Sequence, residues 1–330
     1  MKVVIPLAGL GKRLRPQTYT RPKPLVNLAG KPLLGHILER ITPLPIEEIV
    51  FITGYLGHQI EEYVSANYDL PARYVEQQEQ LGQAHAIGLA RDSLHGPTFI
   101  VFADTIFETD IGKLTQVESD GLIYTHGVDD PSRFGVAVMD GKHISRLVEK
   151  PKTPVSNLAI VGLYYFAEGE QLVAAIDELL ESGRQTEGEY YIADAIQLMI
   201  EKGAKLETET MPVWLDCGTS DALLDTNRYL LGTYDQPQFA YPGSTVIPPV
   251  YIADSAVVEN SVIGPHVSLD REARVTGSIV RDSILGQGCQ VENATLEGSI
   301  IGNDASVRSS YSRLNVGDTA SVSMGAACDE

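Results

Sequence analysis

The sequence predicts an α/β unit built on a mostly parallel sheet, followed by a parallel β-helix of short repeats. Three observations carry that reading. Strand-like apolar runs alternate with helix-like periodicity over the first two thirds of the chain, and a glycine-bearing loop follows the first strand. In the last third, a serine followed by two aliphatics recurs every 16 or 17 residues.

The strands of the first unit are read at Lys2–Leu7, Ile49–Thr53, Thr98–Ala103, Gly121–His126 and Gly135–Met139. Apolar residues at helical spacing fall between them, at Pro32–Arg40, His58–Ala66 and Gln83–Leu94, with two further helices at Gly169–Ser182 and Tyr190–Lys202. Alternation of this kind yields a parallel sheet covered by helices on both faces. Such sheets bind ligands beyond the carboxyl ends of their strands, which is where the Leu7–Leu14 loop and Asp104 fall.

After Leu231 the texture changes. Residues 232–244 are rich in Pro, Gly, Tyr and Gln and read as a linker, which makes 1–231 the first unit and 245–330 the second. In the second unit, Ser261-Val262-Ile263, Ser278-Ile279-Val280, Ser283-Ile284-Leu285 and Ser299-Ile300-Ile301 are spaced by single aliphatics such as Val257, Val267, Val275, Val291 and Val307. One inward aliphatic per side of a triangular coil stacks into a continuous core over several repeats. The tract is expected to run from about Thr245 to Val322.

Bulk composition bounds the function. Of 330 residues, 43% are hydrophobic and 21% charged, as in an ordinary soluble domain rather than a disordered chain. No apolar run is long enough to span a bilayer. Cys217, Cys289 and Cys328 stand far apart with no CxxC pair, which fits a reducing compartment, with cytoplasm the expected location, and argues against a disulfide framework or structural zinc. A net charge of −19 argues against nucleic-acid binding. Residues 1–40 nevertheless hold eight Lys and Arg against the single acid Glu39, a basic island suited to a small anionic ligand such as a phosphate chain, or simply a solvated basic face.

The island contains the loop Leu7-Ala8-Gly9-Leu10-Gly11-Lys12-Arg13-Leu14. Gly9 and Gly11 let backbone N–H groups approach a triphosphate, Arg13 can grip phosphate oxygens in a fork, and Lys23 supplies a point charge. Two glycines after a strand are common in plain turns. The string is not a P-loop, since no G-x-x-x-x-G-K-[ST] is present, and Leu14 stands where a dinucleotide fingerprint needs its third glycine.

Read whole, G-x-G-x-R-L-x-P-x-T followed by Arg21-Pro22-Lys23-Pro24-Leu25 resembles the signature of the sugar-nucleotide pyrophosphorylases, the NDP-sugar nucleotidyltransferases. The resemblance covers about 230 residues and implies a Rossmann-like nucleotidyltransferase fold followed by a left-handed β-helix, closest to the glucose-1-phosphate thymidylyl and uridylyl branches. It implies that Leu7, Ala8, Gly9 and Gly11 bind nucleotide together with Gln77 and Gly82, the latter two reading the base; a glutamine amide suits the imide edge of uracil or thymine. Gln83 replaces a common threonine, and His85 reads as a structural histidine.

Val101-Phe102-Ala103-Asp104 and Trp214-Leu215-Asp216-Cys217-Gly218-Thr219 resemble the two segments whose aspartates hold Mg²⁺, a hard cation suited to one or two carboxylates plus phosphate oxygens. Ala103 departs from the usual glycine and Thr105 from asparagine. For the sugar 1-phosphate the resemblance implies Gly135, Glu149, Lys150, Gly162 and Tyr164. Glu187 stands where some thymidylyl branches carry arginine, with Arg184 nearby.

The implied reaction is an in-line attack of a sugar 1-phosphate on the α-phosphorus of dTTP or UTP, with Arg13, Lys23, Asp104, Lys150 and Asp216 as the working set. Glucose 1-phosphate is the expected acceptor and a homo-oligomer the expected assembly, without nucleic acid or membrane. Two rivals remain: a β-helix that is itself an acyltransferase, and an inactive regulatory subunit on the same fold. His266 is the only histidine after position 143, and the short repeat array favours a structural role for the β-helix.

Overall fold

A computed structural model describes residues 1–236 and 240–309. Val322 and Cys328, and with them the end of the expected repeat tract, lie outside the described residues. The first unit is organised by one sheet of nine strands among the described residues. Its members are β1 (Lys2–Pro6), β2 (Glu48–Thr53), β3 (Ala72–Glu76), β4 (Thr98–Val101), β6 (Gly121–Gly127), β7 (Val136–Asp140), β8 (His143–Val148), β9 (Leu158–Phe166) and β10 (Leu206–Thr210), while β5 (Thr105–Glu108) pairs separately with β11 (Val213–Asp216). The order across the sheet is β3-β2-β1-β4-β9-β6-β10-β8-β7. The first four run parallel, β9 is antiparallel to β4 and β6, and β8 is antiparallel to β10 and β7. The sheet is thus mixed, with its parallel part holding the glycine loop.

Strand alternation sorts the core into two layers. Val3, Ile5, Ile49 and Phe51 face α1 (Leu33–Ile41), α2 (Gly57–Asn67) and α6 (Ser220–Gly232), whereas Val4, Val50 and Ile52 face α3 (Gln83–Gly88), α4 (Gly169–Ser182) and α5 (Ile192–Glu201). The expected Gln83–Leu94 helix is cut short. The Arg91 Nε–H donates to the Gly88 carbonyl at 3.1 Å, taking an acceptor that a continuing helix would use, and the chain tightens into a 3₁₀ turn at Arg91–Ser93. Gly88 also packs closely on α4, since a β-carbon there would lie 3.0 Å from Ile176 Cγ2.

The second unit is a left-handed parallel β-helix with three faces, each a stack of four parallel strands among the described residues. Register repeats at 17 or 16 residues: Val262 sits over Thr245, Ile279 over Val262 and Thr295 over Ile279. The serines that precede each aliphatic pair explain their recurrence. Ser261 Oγ accepts from the Ser278 N–H, Ser278 Oγ from the Ala294 N–H and Ser283 Oγ from the Ser299 N–H, each at 3.1 Å. These buried hydroxyls stack up the corners and satisfy backbone donors that a turn would leave unpaired.

The β-helix docks on the segment that carries the glycine loop. The fully buried Asn227 of α6 accepts from the Ala29 N–H at 2.9 Å and the Ser268 hydroxyl at 2.7 Å. Gln17 Nε2 donates to the Ile300 carbonyl at 3.1 Å, and Asn27 hydrogen-bonds Asp270. Among the described residues, no helix is long and apolar enough to cross a membrane.

Candidate active site

The cleft is built first by backbone geometry after β1. Gly11 caps a 3₁₀ turn, Lys12–Leu14, from the left-handed region at φ 59°. A β-carbon on it would be strained there and would come 3.2 Å from Lys23 Cβ. The Thr18 hydroxyl closes the loop by donating to the Gly11 carbonyl at 2.8 Å. Leu14 anchors the turn in the core, which leaves Lys12 and Arg13 facing outward. At Gly9 a β-carbon would meet nothing within 4 Å, so the open space beside it belongs to the cleft.

Two carboxylates, Asp104 and Asp216, approach this loop from segments far apart in the sequence. Strands β5 and β11 pair with Asp216 opposite Thr105, and the Cys217 N–H donates to the Asp104 carbonyl at 2.9 Å. Asp104 Oδ2 lies 3.5 Å from Lys23 Nζ. A β-carbon at Gly218 would lie 2.9 Å from Asp216 Oδ1 and 3.0 Å from an Arg13 guanidinium nitrogen, so glycine leaves room for both charges. Burial pushes the intervening Cys217 thiol up to about 12, which keeps it neutral beside the two aspartates. Neither Arg13 nor the Asp216 carboxylate forms an ion pair among the described residues.

A cleft of about 470 Å³ joins the glycine loop, Lys23 and Asp104 to the loop that holds Gln77 and Gly82. Leu7, Ala8, Gly9, Gly11, Arg13, Lys23 and Asp104 line it together with Gln77 and Gly82, whereas Asp216 lies behind the lining residue Gly218. Gln77 is buried, and its Nε2 lies 3.2 Å from the Gly82 carbonyl and 3.1 Å from His85 Nδ1. Gly82 has φ 110° and backs onto Tyr190, whose backbone nitrogen would be 2.7 Å from a β-carbon there.

Gly135, Glu149, Lys150, Gly162 and Tyr164, expected from the sequence to take the sugar 1-phosphate, form a second cluster outside the lining of that cleft. The Phe102 N–H donates to the Gly162 carbonyl at 2.9 Å, and the Phe102 and Tyr164 rings meet edge-on at 6.0 Å. Tyr164 is buried rather than open to the cleft, and burial raises its phenol with Glu149 and Asp104 adding to the effect. Gly135 makes room for Glu149, because a β-carbon there would lie 2.8 Å from Glu149 Oε2. Burial pushes the Glu149 carboxyl above its usual range, opposed by Lys150 and reinforced by Asp194, Glu187 and Glu189. Lys150 Nζ donates to Glu187 Oε2 at 2.8 Å and to the Tyr191 hydroxyl at 3.0 Å, which together hold its ammonium above the ordinary value.

A model of the nucleotidyl transferase family matches residues 2–232 of the chain. The chain belongs to that family. It is 32% identical to a glucose-1-phosphate thymidylyltransferase of Streptomyces antibioticus across 96% of each protein. It is 33% identical to the UTP–glucose-1-phosphate uridylyltransferase AglF of Haloferax volcanii, over 66% of this chain and 91% of the relative. The bifunctional protein GlmU of Methanocaldococcus jannaschii matches 70% of this chain at 35% identity, but only 54% of its own length. Among solved structures, a Bacillus anthracis protein described as a glucose-1-phosphate thymidylyltransferase, in complex with a sucrose, superposes with a TM-score of 0.62 at 27% identity. It covers 72% of this chain and 98% of its own.

Nucleotidyl transferases of this family generally use a divalent metal. The donors present fit one. Among the described residues no three His, Cys, Asp or Glu side chains converge to hold a metal alone. The two aspartate carboxylates are hard oxygen donors, a number that suits a cation completed by substrate phosphates and water.

Four cleft-lining residues were given no role of their own from the sequence of this nucleotidyl transferase: Lys12, Gln80, Phe102 and Gly218. Lys12 adjoins Arg13 in the basic island, a signal that charge counting could have given. Trp214 was read only as part of a motif. Its ring meets Phe134 edge-on at 5.0 Å, which ties the Asp216 strand to the residue preceding Gly135.

Proposed function

We propose that this chain transfers a uridylyl or thymidylyl group from UTP or dTTP to glucose 1-phosphate in the presence of Mg²⁺, releasing pyrophosphate and forming an NDP-glucose. The observation that carries the reading is one cleft lined by Arg13, Lys23 and Asp104 together with Gln77 and Gly82. That lining suits a molecule that carries both a polyphosphate and a base.

In this reading a glucose 1-phosphate oxygen, ionised at neutral pH, attacks the α-phosphorus in line. The bond from the α-phosphorus to the bridging oxygen breaks, and its electron pair leaves with pyrophosphate. No protein nucleophile takes part. The backbone at Gly9 and Gly11, with Arg13 and Lys23, holds the triphosphate and offsets its charge as the transition state forms. Lys150 takes the sugar phosphate, and Glu149 accepts hydrogen bonds from sugar hydroxyls, with Gly135 and Gly162 leaving room around them and buried Tyr164 backing the wall. Asp104 and Asp216 would hold Mg²⁺, which when bound supplies positive charge to the phosphate oxygens.

The proposal places the catalytic unit at 1–231, a linker at 232–244 and the β-helix at 245–330, in a cytoplasmic homo-oligomer joined through β-helix faces. Pyrophosphate release measured over a matrix of nucleoside triphosphates and sugar 1-phosphates tests it. UTP or dTTP with glucose 1-phosphate is expected to give the highest kcat/KM. A purine triphosphate leading the matrix would overturn the base assignment, and no release with any pair would favour an inactive subunit. Acetyl transfer from acetyl-CoA to an amino-sugar product would establish the bifunctional alternative.

A further inference from the structure

Gln77 has a partner that the base-site reading does not use. Its Nε2 lies within hydrogen-bond distance of two atoms, the Gly82 carbonyl oxygen at 3.2 Å and His85 Nδ1 at 3.1 Å. A carbonyl oxygen can only accept, so the amide nitrogen must face Gly82 and the amide oxygen must point elsewhere. The second amide hydrogen then points at His85, whose Nδ1 must offer a lone pair and whose ring proton must sit on Nε2.

The backbone around the pair leaves little freedom. Gly82 is wedged against the Tyr190 backbone, the Ala84 N–H donates to the Tyr190 carbonyl at 2.9 Å, and the Tyr190 N–H donates to the Leu81 carbonyl at 2.9 Å. His85 rides on the first turn of α3, one residue after Ala84.

We propose that His85 is a positioning residue that sets base specificity by locking the Gln77 amide so that only its oxygen faces the ligand. The inference rests on the reading of Gln77 as a base contact. An amide oxygen demands a donor. Uracil and thymine present a ring N3–H, whereas cytosine presents a bare N3 lone pair that would face oxygen against oxygen-like charge. Accepting cytosine would require a flipped amide, and the flip would set its oxygen against both the Gly82 carbonyl and the His85 lone pair. The Gly82 carbonyl can never donate and opposes the flip outright. His85 opposes it a second time, because its ring proton would have to move from Nε2 to Nδ1 to meet the flipped oxygen.

The test is selectivity, measured as the ratio of kcat/KM for the better of UTP and dTTP to that for CTP, with glucose 1-phosphate as acceptor. His85→Leu removes the acceptor at similar size, and His85→Asn returns an oxygen near the position of Nδ1. His85→Leu is expected to lower the selectivity about tenfold, the loss typical of one buried hydrogen bond, with the KM for glucose 1-phosphate within twofold of the parent. His85→Asn is expected to restore most of the selectivity. In a Gln77→Ala background His85→Leu is expected to have no further effect, because the amide it orients is gone.

Unchanged selectivity in His85→Leu, alongside a loss in Gln77→Ala, would overturn the inference while leaving the base site intact. Unchanged selectivity in Gln77→Ala itself would overturn the base-site reading and this inference with it. Should His85→Leu fail to fold, His85→Gln replaces it, since glutamine reaches toward the Nε2 position instead. Equal selectivity in the Asn and Gln variants would then count against the lock.

Discussion

The two ends of the site are prepared differently. At the end proposed for the triphosphate, Arg13 stands free of ion pairs among the described residues, and Lys23 is only loosely held, 3.5 Å from Asp104. At the end proposed for the sugar phosphate, Lys150 is already engaged by Glu187 at 2.8 Å and by the Tyr191 hydroxyl at 3.0 Å. The glycine loop is fixed by Gly11, Thr18 and Leu14, so its charges are presented without rearrangement. In the proposed reaction Lys150 must give up a carboxylate before it can take a phosphate. The loop at one end is fixed and the cation at the other is occupied by the protein's own anion, an exchange that the proposed reading expects to lower affinity there.

That contrast can be broken or sharpened by substitution. Arg13→Ala should have the largest effect, a fall of about 10²–10³ in kcat with either nucleotide, as for loss of one preorganised charge donor. Steady-state kinetics read it directly. Asp104→Asn and Asp216→Asn should each lower Mg²⁺-dependent turnover with little change in thermal unfolding. Wild-type response to Mg²⁺ in both would remove them from the metal role.

Lys150→Ala should raise the KM for glucose 1-phosphate by about ten- to a hundredfold, the range for a hydrogen bond to a charged group, while leaving the KM for the nucleotide nearly unchanged. Glu187→Gln should act in the opposite direction and more weakly. Removing this exposed ion pair should lower the KM for glucose 1-phosphate by about two- to fivefold. An increased KM in that variant would mean that Glu187 helps to bind the sugar rather than competing with its phosphate.

The smallest effect concerns stability. Burial raises the Glu149 carboxyl, so the folded state holds that proton more tightly than the unfolded chain does. This contribution favours folding at pH below the ordinary carboxylate range and is lost as pH rises through the raised value. Glu149→Gln should therefore increase Tm at neutral pH, and the gain should vanish in acid. A constant difference across pH would assign the effect to packing.

Much of this was legible in the sequence. The β1, β2 and β4 strands, α4, the glycine loop and the two aspartate segments were all read near their observed places, because each is local and apolar periodicity or motif spacing marks it. The β-helix repeats were legible for a reason the structure supplies, namely the serine hydroxyls stacked at the corners. The strands β3, β8 and β10 were not read, since Arg73, Arg146 and Glu207 interrupt short runs whose burial depends on neighbours in the sheet. The shortened α3 depends on the Arg91 side chain reaching the Gly88 carbonyl. The Lys150–Glu187 pair spans 37 residues, and the chain reverses at Gly188, with φ 85°, to bring it together. No spacing rule carries that information. His85 was read as merely structural because its partner is known only once the Gly82 turn is formed.

The central claim is that electrostatic positioning of the two substrates is enough, with no covalent enzyme intermediate. The most direct measurement is the stereochemical course at the α-phosphorus, followed with a nucleoside triphosphate carrying a chiral α-thiophosphate and glucose 1-phosphate as acceptor. A single in-line displacement inverts that centre, and inversion is the result expected here. Retention would require two displacements and a protein nucleophile, and would contradict the account.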